Sequence, residues 1–341
     1  MNRAATIALM PLSAIYRVAT SARNSFYRRG AFHSHRVGVP VISVGNITTG
    51  GTGKTPLVEW IAKQLAQTGR RVCVLTRGYG RKTAGRVIVS DGNKVLAGVD
   101  EAGDEAFLLA ENLKDDAAVI CDANRVGAAR WAIETFKINV FVLDDAFQHQ
   151  RIARNLNILT IDATNPWGNG RLLPAGILRE PRESLKRADC VLITRSDQSN
   201  RVAEIQSEIA AIRSDIPVFR SHMKLANLRS LDETSAKPQS PVAAFCGLAN
   251  PAPFFAMLRN AAYDLVHVRT FRDHHNYTQN AIDRVTAAAR AHGAQAIVTT
   301  AKDAVKVRSM KFALPCYVAE IEIEINLEDQ FRQLILNTIK V

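Results

Sequence analysis

The 341-residue sequence has five cysteines, Cys73, Cys121, Cys190, Cys246 and Cys316, and no C-x-x-C pair among them. That excludes the usual zinc and dithiol spacings. The apolar runs around most of them read as buried, reduced thiols in a reducing compartment. Acidic residues are missing from the whole N-terminal stretch, where none precedes Glu59. Nor does any apolar run there reach the length of a membrane span. The uncharged run between Arg3 and Arg17, residues 4–16, has 13 residues and contains Pro11, against about 20 for a spanning helix. No internal repeat or low-complexity tract is evident.

What is present is ordinary globular material, 47% hydrophobic and 22% charged, which excludes a disordered or fibrous chain. At about 150 residues per domain the length suggests two domains. Lys+Arg 44 against Asp+Glu 32 gives a net charge of +12. Such a balance points to an anionic partner, whether nucleotide, nucleic acid or acidic membrane.

Six arginines, Arg3, Arg17, Arg23, Arg28, Arg29 and Arg36, precede the first glycine-rich loop. After Pro11 the pattern is helical, with Leu12, Ile15, Tyr16, Ala19, Ala22 and Phe26 on one face and Arg17, Thr20, Asn24 and Arg28 on another. Arg23 falls toward the apolar side and would have to snorkel. A basic amphipathic helix of this kind lies in the headgroup region of an anionic leaflet. The competing readings are a core helix with a basic outer face, a secretory signal broken by Arg17 and Pro11, and an Arg-rich transit peptide.

From residue 38 strands and helices alternate. Strands are expected at 39–45, 71–76, 118–121, 140–143, 156–161, 190–194 and 217–219. Helices are expected from the glycine-rich loop to about 67, and at 101–113, 124–137 and 198–213. Alternation with uniformly apolar strands argues an α/β fold with a mostly parallel sheet flanked by helices. Residues 230–241 are polar and carry two prolines, which marks a domain boundary. A smaller α/β unit follows, with strands at 242–247, 265–271, 296–300 and 317–325 and helices at 252–262 and 279–291. The expected organisation is therefore an N-terminal helix in 1–36, a main domain in 37–228, a linker in 229–241 and a smaller domain in 242–326. A closing helix in 327–341 would pack back on the main domain.

The strongest motif is Thr48-Thr49-Gly50-Gly51-Thr52-Gly53-Lys54-Thr55. It follows an apolar strand and opens a helix, as a P-loop does. Glycines let backbone N–H groups approach phosphate oxygens, Lys54 neutralises β- and γ-phosphates, and Thr55 offers a hydroxyl to Mg²⁺. Thr48 stands where the usual pattern has glycine. A second Mg²⁺ ligand is expected at the end of a buried strand, and Val140-Phe141-Val142-Leu143-Asp144-Asp145 has that form.

Phosphoryl transfer to a hydroxyl benefits from a positioned base. His149 follows the aspartate pair closely, and Asp104 at a helix start is a candidate to orient it. The alternatives are a satisfied loop histidine and a helix-capping aspartate. Two further loops carry arginines at strand ends: Arg77-Gly78-Tyr79-Gly80, and the stretch from Gly170-Arg171 to Arg179-Glu180-Pro181. Both suit an anionic acceptor.

Taken jointly these stretches resemble one family, the tetraacyldisaccharide 4′-kinases. Gly103-Asp104-Glu105, Phe271-Arg272-Asp273-His274-His275-Asn276-Tyr277-Thr278 and Lys302-Asp303-Ala304-Val305-Lys306 belong to the same resemblance, which covers nearly the whole chain. It implies ATP-dependent phosphorylation of the 4′-hydroxyl of an acylated disaccharide 1-phosphate. It also implies a peripheral protein on the cytoplasmic face of a Gram-negative inner membrane, with two α/β units and nucleotide in the cleft. By the same resemblance Thr48 is the family's own form. Asp104 and His149 act as a base pair, Asp144 and Asp145 serve Mg²⁺, and His274 or His275 contacts adenine. Tyr79 and Arg179 meet the lipid's sugar or phosphate, with Arg171 in the same loop. Ile177 stands where proline is usual in the family, and Ala301 where an acidic residue is common.

Two other readings compete. A P-loop GTPase or ATPase switch, or a metal-insertion protein, would share the loop. Thr194-Arg195-Ser196-Asp197 loosely imitates a guanine-reading N-K-x-D, with Arg195 in the lysine's place. A nucleic-acid binder would explain the charge, but no aromatic–basic ladder or zinc spacing supports one.

Overall fold

The structure is a computed structural model. It describes residues 3–232, 238, 240–248, 250–273 and 275–340, with residues 3–5 described by their backbone alone. The chain forms two compact units, one running to His222 and resuming at Ile325, the other spanning Met223–Glu324.

The first unit opens with α1 (Arg3–Ala8) and α2 (Met10–Arg28). Pro11 lies in the first turn of α2, where its missing N–H is no loss. The alternating part follows: β1 (Val41–Gly45), α3 (Lys54–Ala66), β2 (Val72–Thr76), β3 (Val87–Ser90), α4 (Val99–Ala102), α5 (Asp104–Asn112), β4 (Ala117–Cys121), α6 (Arg125–Phe136), β5 (Val140–Leu143), β6 (Leu156–Asp162), β7 (Cys190–Thr194), α7 (Val202–Ile212) and the start of β8 (Val218–Ser230), whose residues from Met223 on belong to the second unit. The strands lie in the order β8-β7-β6-β1-β5-β2-β4-β3. All pair in parallel except β3, which is antiparallel to β4.

Every residue of β1, β2, β4, β5, β6 and β7 is buried, as the strands of a parallel sheet covered on both faces are. Leu159, Ile161, Val191 and Ile193 pack with Ile205 and Ile209 of α7 on one face. Cys73, Leu75, Phe141 and Leu143 pack with Ala128, Ala129 and Ala132 of α6 on that same face, since Phe141 pairs with Val41 and Leu159 with Gly45 of β1. From β1 the chain moves out to β2, β3 and β4, returns to β5 beside β1, and then crosses to β6, β7 and β8. The strand order therefore reverses at β1, and open sheets of this type bind ligands at the carboxyl ends around such a point.

The second unit holds β9 (Val242–Cys246), α8 (Ala252–Asn260), β10 (Leu265–Thr270), α9 (Gln279–Ala291), β11 (Ala296–Thr300), α10 (Ala301–Val307) and β12 (Cys316–Ile325). The order β10-β9-β11-β12 is parallel throughout. The chain then returns to the first unit as α11 (Glu328–Thr338). The Phe331 ring of α11 sits 5.6 Å from that of Trp60 and 4.9 Å from that of Phe219.

Three local expectations change. The strand expected at 217–219 runs 13 residues to Ser230, so strand occupies the start of the stretch expected as linker. Few of its side chains are buried, and Arg220, Lys224 and Arg229 break it up, so no apolar run marks it. The edge strand β3 and the short helix α10 escaped notice for want of length. The apolar face assigned to α2 is also divided. Leu12, Ile15 and Phe26 are exposed, as is Val18 at 69%, whereas Tyr16 packs against the core. Thr20 and Asn24, assigned to the outer face, turn inward, with Thr20 buried and Asn24 bonded to Glu180.

Candidate functional site at the carboxyl ends of β1 and β5

The glycine-rich loop joins β1 to α3. Gly53 caps α3 at φ 72, a left-handed backbone that glycine adopts without steric cost. The loop is braced by the neighbouring strands. The Thr52 and Thr160 hydroxyls meet at 2.9 Å, the Thr194 hydroxyl donates to the Thr52 carbonyl at 3.0 Å, and Arg195 Nη2 donates to the Gly51 carbonyl at 2.9 Å. Thr48 is buried and accepts from Asn46 Nδ2 at 3.2 Å. It forms an antiparallel bridge with Leu178. Around it, Thr49 N–H donates to the Ile177 carbonyl and Arg179 N–H to that of Ile47, each at 2.7 Å. Position 48 thus pairs with the loop that carries Leu178 and Arg179, and a glycine there would gain nothing.

β5 delivers the two aspartates. Asp144 is buried, accepts from the Thr76 hydroxyl at 3.1 Å, and its carbonyl accepts from Arg125 Nη2 at 3.0 Å. Burial pushes its carboxyl up to about 6 despite the Lys54 charge. Asp145, at φ 45, is partly exposed. Arg179 Nη1 reaches its two oxygens at 3.0 and 2.9 Å, and Lys54 Nζ lies 3.5 Å away. Burial works to raise Asp145, but Lys54 and Arg179 overcome it and hold the carboxyl below its ordinary value. Adjacent carboxyls are thereby driven apart in acidity.

The donor set suits a shared divalent cation. Asp144, Asp145 and Thr55 carry hard oxygen atoms of the kind such a cation takes. No group of three or more His, Cys, Asp or Glu side chains among the described residues could hold a metal unaided. That fits Mg²⁺, which is usually bound by one or two carboxylates plus substrate phosphates.

His149 sits in the turn after the aspartates, its N–H bonded to the Ala146 carbonyl at 2.9 Å. Its Nε2 is buried with no hydrogen-bond partner among the described residues. Burial, with Arg125, Arg154, Arg151 and Arg77 around it, pushes its pKa down to about 4. The ring is therefore neutral at pH 7. Asp104 opens α5 directly after Gly103. A side chain at Gly103 would meet the Tyr79 carbonyl at 2.5 Å, so the Tyr79 loop rests on the start of that helix. The Tyr79 side chain is largely exposed, as is Arg171.

The second unit carries His275, whose ring stacks on Phe271 at 4.7 Å and meets Tyr277 edge-on at 4.9 Å. His274 lies outside the described residues. Asp303 is buried and accepts from Gly247 N–H at 2.9 Å, the Tyr277 hydroxyl at 2.8 Å and the Thr300 hydroxyl at 2.7 Å. It ties the start of α10 to the loop after β9.

Sequence reasoning missed Thr76, Arg125 and Arg195. Thr76 and Arg195 stand directly at strand ends, which is the signal that was available for them. Arg125 has only its place at the start of α6. Arg195, read as part of an imitation base-reading loop, instead bonds Asp162 and the P-loop.

The chain matches the family described as Tetraacyldisaccharide-1-P 4′-kinase over residues 5–340. A tetraacyldisaccharide 4′-kinase of Desulfotalea psychrophila is 40% identical over 333 residues, covering 96% of this chain and 95% of the relative. One of Geobacter metallireducens is 40% identical over 335 residues, covering 96% of both. The crystal structure of LpxK from Aquifex aeolicus in complex with ATP superposes with a TM-score of 0.79 at 30% identity, covering 98% of this chain and 99% of that one. A P-loop lysine beside an aspartate pair, in a chain so similar throughout its length, leaves one assignment: it belongs to the tetraacyldisaccharide-1-phosphate 4′-kinase family.

Proposed function

We propose that this chain transfers the γ-phosphoryl group of ATP to the 4′-hydroxyl of a tetraacyldisaccharide 1-phosphate at the cytoplasmic face of the bacterial inner membrane. Besides family membership, one observation carries the reading: Lys54 lies 3.5 Å from Asp145, at the end of the strand next to the P-loop. Lys54 is placed to exchange that carboxylate for β- and γ-phosphate oxygens. The backbone of Thr49, Gly50, Gly51, Thr52 and Gly53 follows the phosphates. Thr55, Asp144 and Asp145 are the candidate ligands of Mg²⁺, which would neutralise charge on the transferred group.

His149, neutral at pH 7, is in the right form to accept the 4′-hydroxyl proton. Anionic substrate beside its arginines would raise its basicity, with Asp104 as the partner that stabilises the charged ring. Tyr79, Arg171 and Arg179 are the proposed contacts to the sugar and its phosphate, and His274 or His275 to adenine. The exposed Leu12, Ile15, Val18 and Phe26 of α2 would enter the headgroup layer, with arginines beside them facing anionic lipid. Among the described residues no helix is long and apolar enough to cross a membrane.

The test is a transfer assay with γ-labelled ATP, Mg²⁺ and the acylated disaccharide 1-phosphate in micelles, beside a His149→Ala variant. Label in the lipid, sharply reduced in the variant, is the expected result. Label released only as free phosphate would reject the reading.

A further inference from the structure

The acceptor loop that carries Arg179 is held from two directions. Its backbone is zipped to the P-loop through Ile177, Leu178 and Arg179, as described. From the other side it is held by α2. The Ser13 hydroxyl donates to the Leu172 carbonyl at 2.8 Å and the Tyr16 hydroxyl to the Arg179 carbonyl at 3.1 Å. Arg23 Nη2 reaches Glu180 Oε1 at 3.3 Å, and Asn24 Nδ2 reaches Glu180 Oε2 at 2.9 Å. Arg23, which breaks the apolar pattern of the helix, therefore has a partner inside the protein.

Glu180 is completely buried, and its third contact is Arg187 at 2.8 Å. A buried carboxylate is tolerable only while paired and hydrogen-bonded. Two of its three partners come from α2. Unseating α2 would leave Glu180 hydrogen-bonded to Arg187 alone, with Arg154 the other cation near it, and its neighbour in the chain is the arginine gripping Asp145 beside Lys54. The seat is mostly polar, with Tyr16 its main ring, and a helix docked by a few such bonds is a weakly held element. A lipid surface that takes up Leu12, Ile15 and Val18 leaves Ser13, Tyr16, Arg23 and Asn24 facing the protein, so it favours the seated form. A ligand shifts such an equilibrium only through that difference.

We propose that α2 is an activating element as well as a lipid contact. Its seating is transmitted through Glu180, a positioning residue, to the Arg179–Asp145 pair at the phosphoryl-transfer site. This rests on the reading that the chain phosphorylates a lipid acceptor at a membrane surface.

The test uses full-length protein and Arg23→Gln and Glu180→Gln, singly and together. Three quantities are measured: kcat and KM for ATP and for the acceptor in micelles, binding to vesicles of phosphatidylethanolamine and phosphatidylglycerol, and thermal unfolding. Each single change should lower kcat about tenfold or more, the scale of a small misplacement of reacting groups. The double variant should be no worse than Glu180→Gln. Vesicle binding should stay within about fivefold, the worth of one surface arginine. An intact kcat in Arg23→Gln, losses that multiply in the double variant, or losses confined to KM or vesicle binding would each overturn the coupling. If Glu180→Gln fails to fold, Arg23→Gln and Tyr16→Phe carry the same cycle. Wild-type protein that labels no lipid would reject the underlying reaction, and the coupling with it.

Discussion

Arg195 donates from Nη2 to the carbonyl of Gly51 at 2.9 Å while its Nη1 is paired with Asp162. The side chain spans from the end of β6 to the phosphate loop, so it braces the loop and is not held out to read a base. Arg195→Ala should weaken ATP binding about tenfold or more, as expected when a charge-assisted bond is lost and its acceptor stranded. The preference for ATP over GTP should not change. Competition binding with both nucleotides checks this, and a shift in base preference would restore the switch-type reading of Thr194-Arg195-Ser196-Asp197.

Asp144 should cost the protein stability when ionised. Its folded pKa is raised from 3.8 to about 6. The folded state therefore holds the proton more tightly, and the stabilisation present at low pH is lost as pH rises through about 6. At pH 7.5 the penalty is about 3 kcal/mol, on the scale of 1.36 kcal/mol per pKa unit. Asp144→Asn should raise Tm at pH 7.5 in the nucleotide-free protein while abolishing transfer. The difference from wild type should shrink toward zero near pH 4. Equal Tm values at pH 7.5 would contradict a net cost of burying that charge.

The same value sets a pH profile. kcat/KM reports groups of the free enzyme, so its acid limb should fall near pH 6 through Asp144. His149, pushed down to about 4, is already neutral there. His149→Ala should lower kcat by about 10²–10⁴, the usual worth of a general base, and leave the limb in place. A limb that vanishes in that variant would transfer the pH 6 titration to the histidine.

Arg179 Nη1 bridges both oxygens of Asp145 and also reaches Gln148 Oε1 at 3.5 Å. Arg179→Ala should lower kcat about tenfold or more because Asp145 loses the charged group that positions it, with Tm nearly unchanged because the pair is partly exposed. Steady-state kinetics with thermal unfolding separates the two effects. A large fall in Tm would make the pair chiefly structural.

The outer face of α2 yields a surface prediction. Ile15 is 66% and Val18 69% exposed. Ile15→Glu with Val18→Glu adds two charges where apolar groups would meet lipid. Sedimentation with anionic vesicles should fall about tenfold or more, from lost apolar burial and added repulsion. Undiminished sedimentation would remove α2 from the membrane contact.

Much of this architecture is legible in the sequence because local patterns carry it. The runs that form β1, β2, β5 and β7 are apolar but for Ser43, Thr76 and Thr194, and repeated in alternation with helices they point to a doubly covered parallel sheet. The P-loop carries its chemistry in consecutive residues. Long-range pairings leave no such trace. Arg23 reads as a flaw in an amphipathic helix until Glu180, 157 positions away, is seen beneath it. Arg125 has no motif, since its task depends on where β5 ends. β8 is obscured because most of its side chains are not buried, so the alternation that betrays a half-buried strand is faint.

The return of the chain through α11 bears on biosynthesis. Phe331 and Ile335 are completely buried in the unit that contains the P-loop, yet they leave the ribosome after all of Met223–Glu324. At about 5–20 residues per second, the nucleotide-binding unit waits several seconds with the Trp60 and Phe219 side of its core uncovered. The intervening unit can complete itself meanwhile. Nascent chains arrested before α11 should therefore engage holding chaperones through the first unit, although every P-loop residue has long been made.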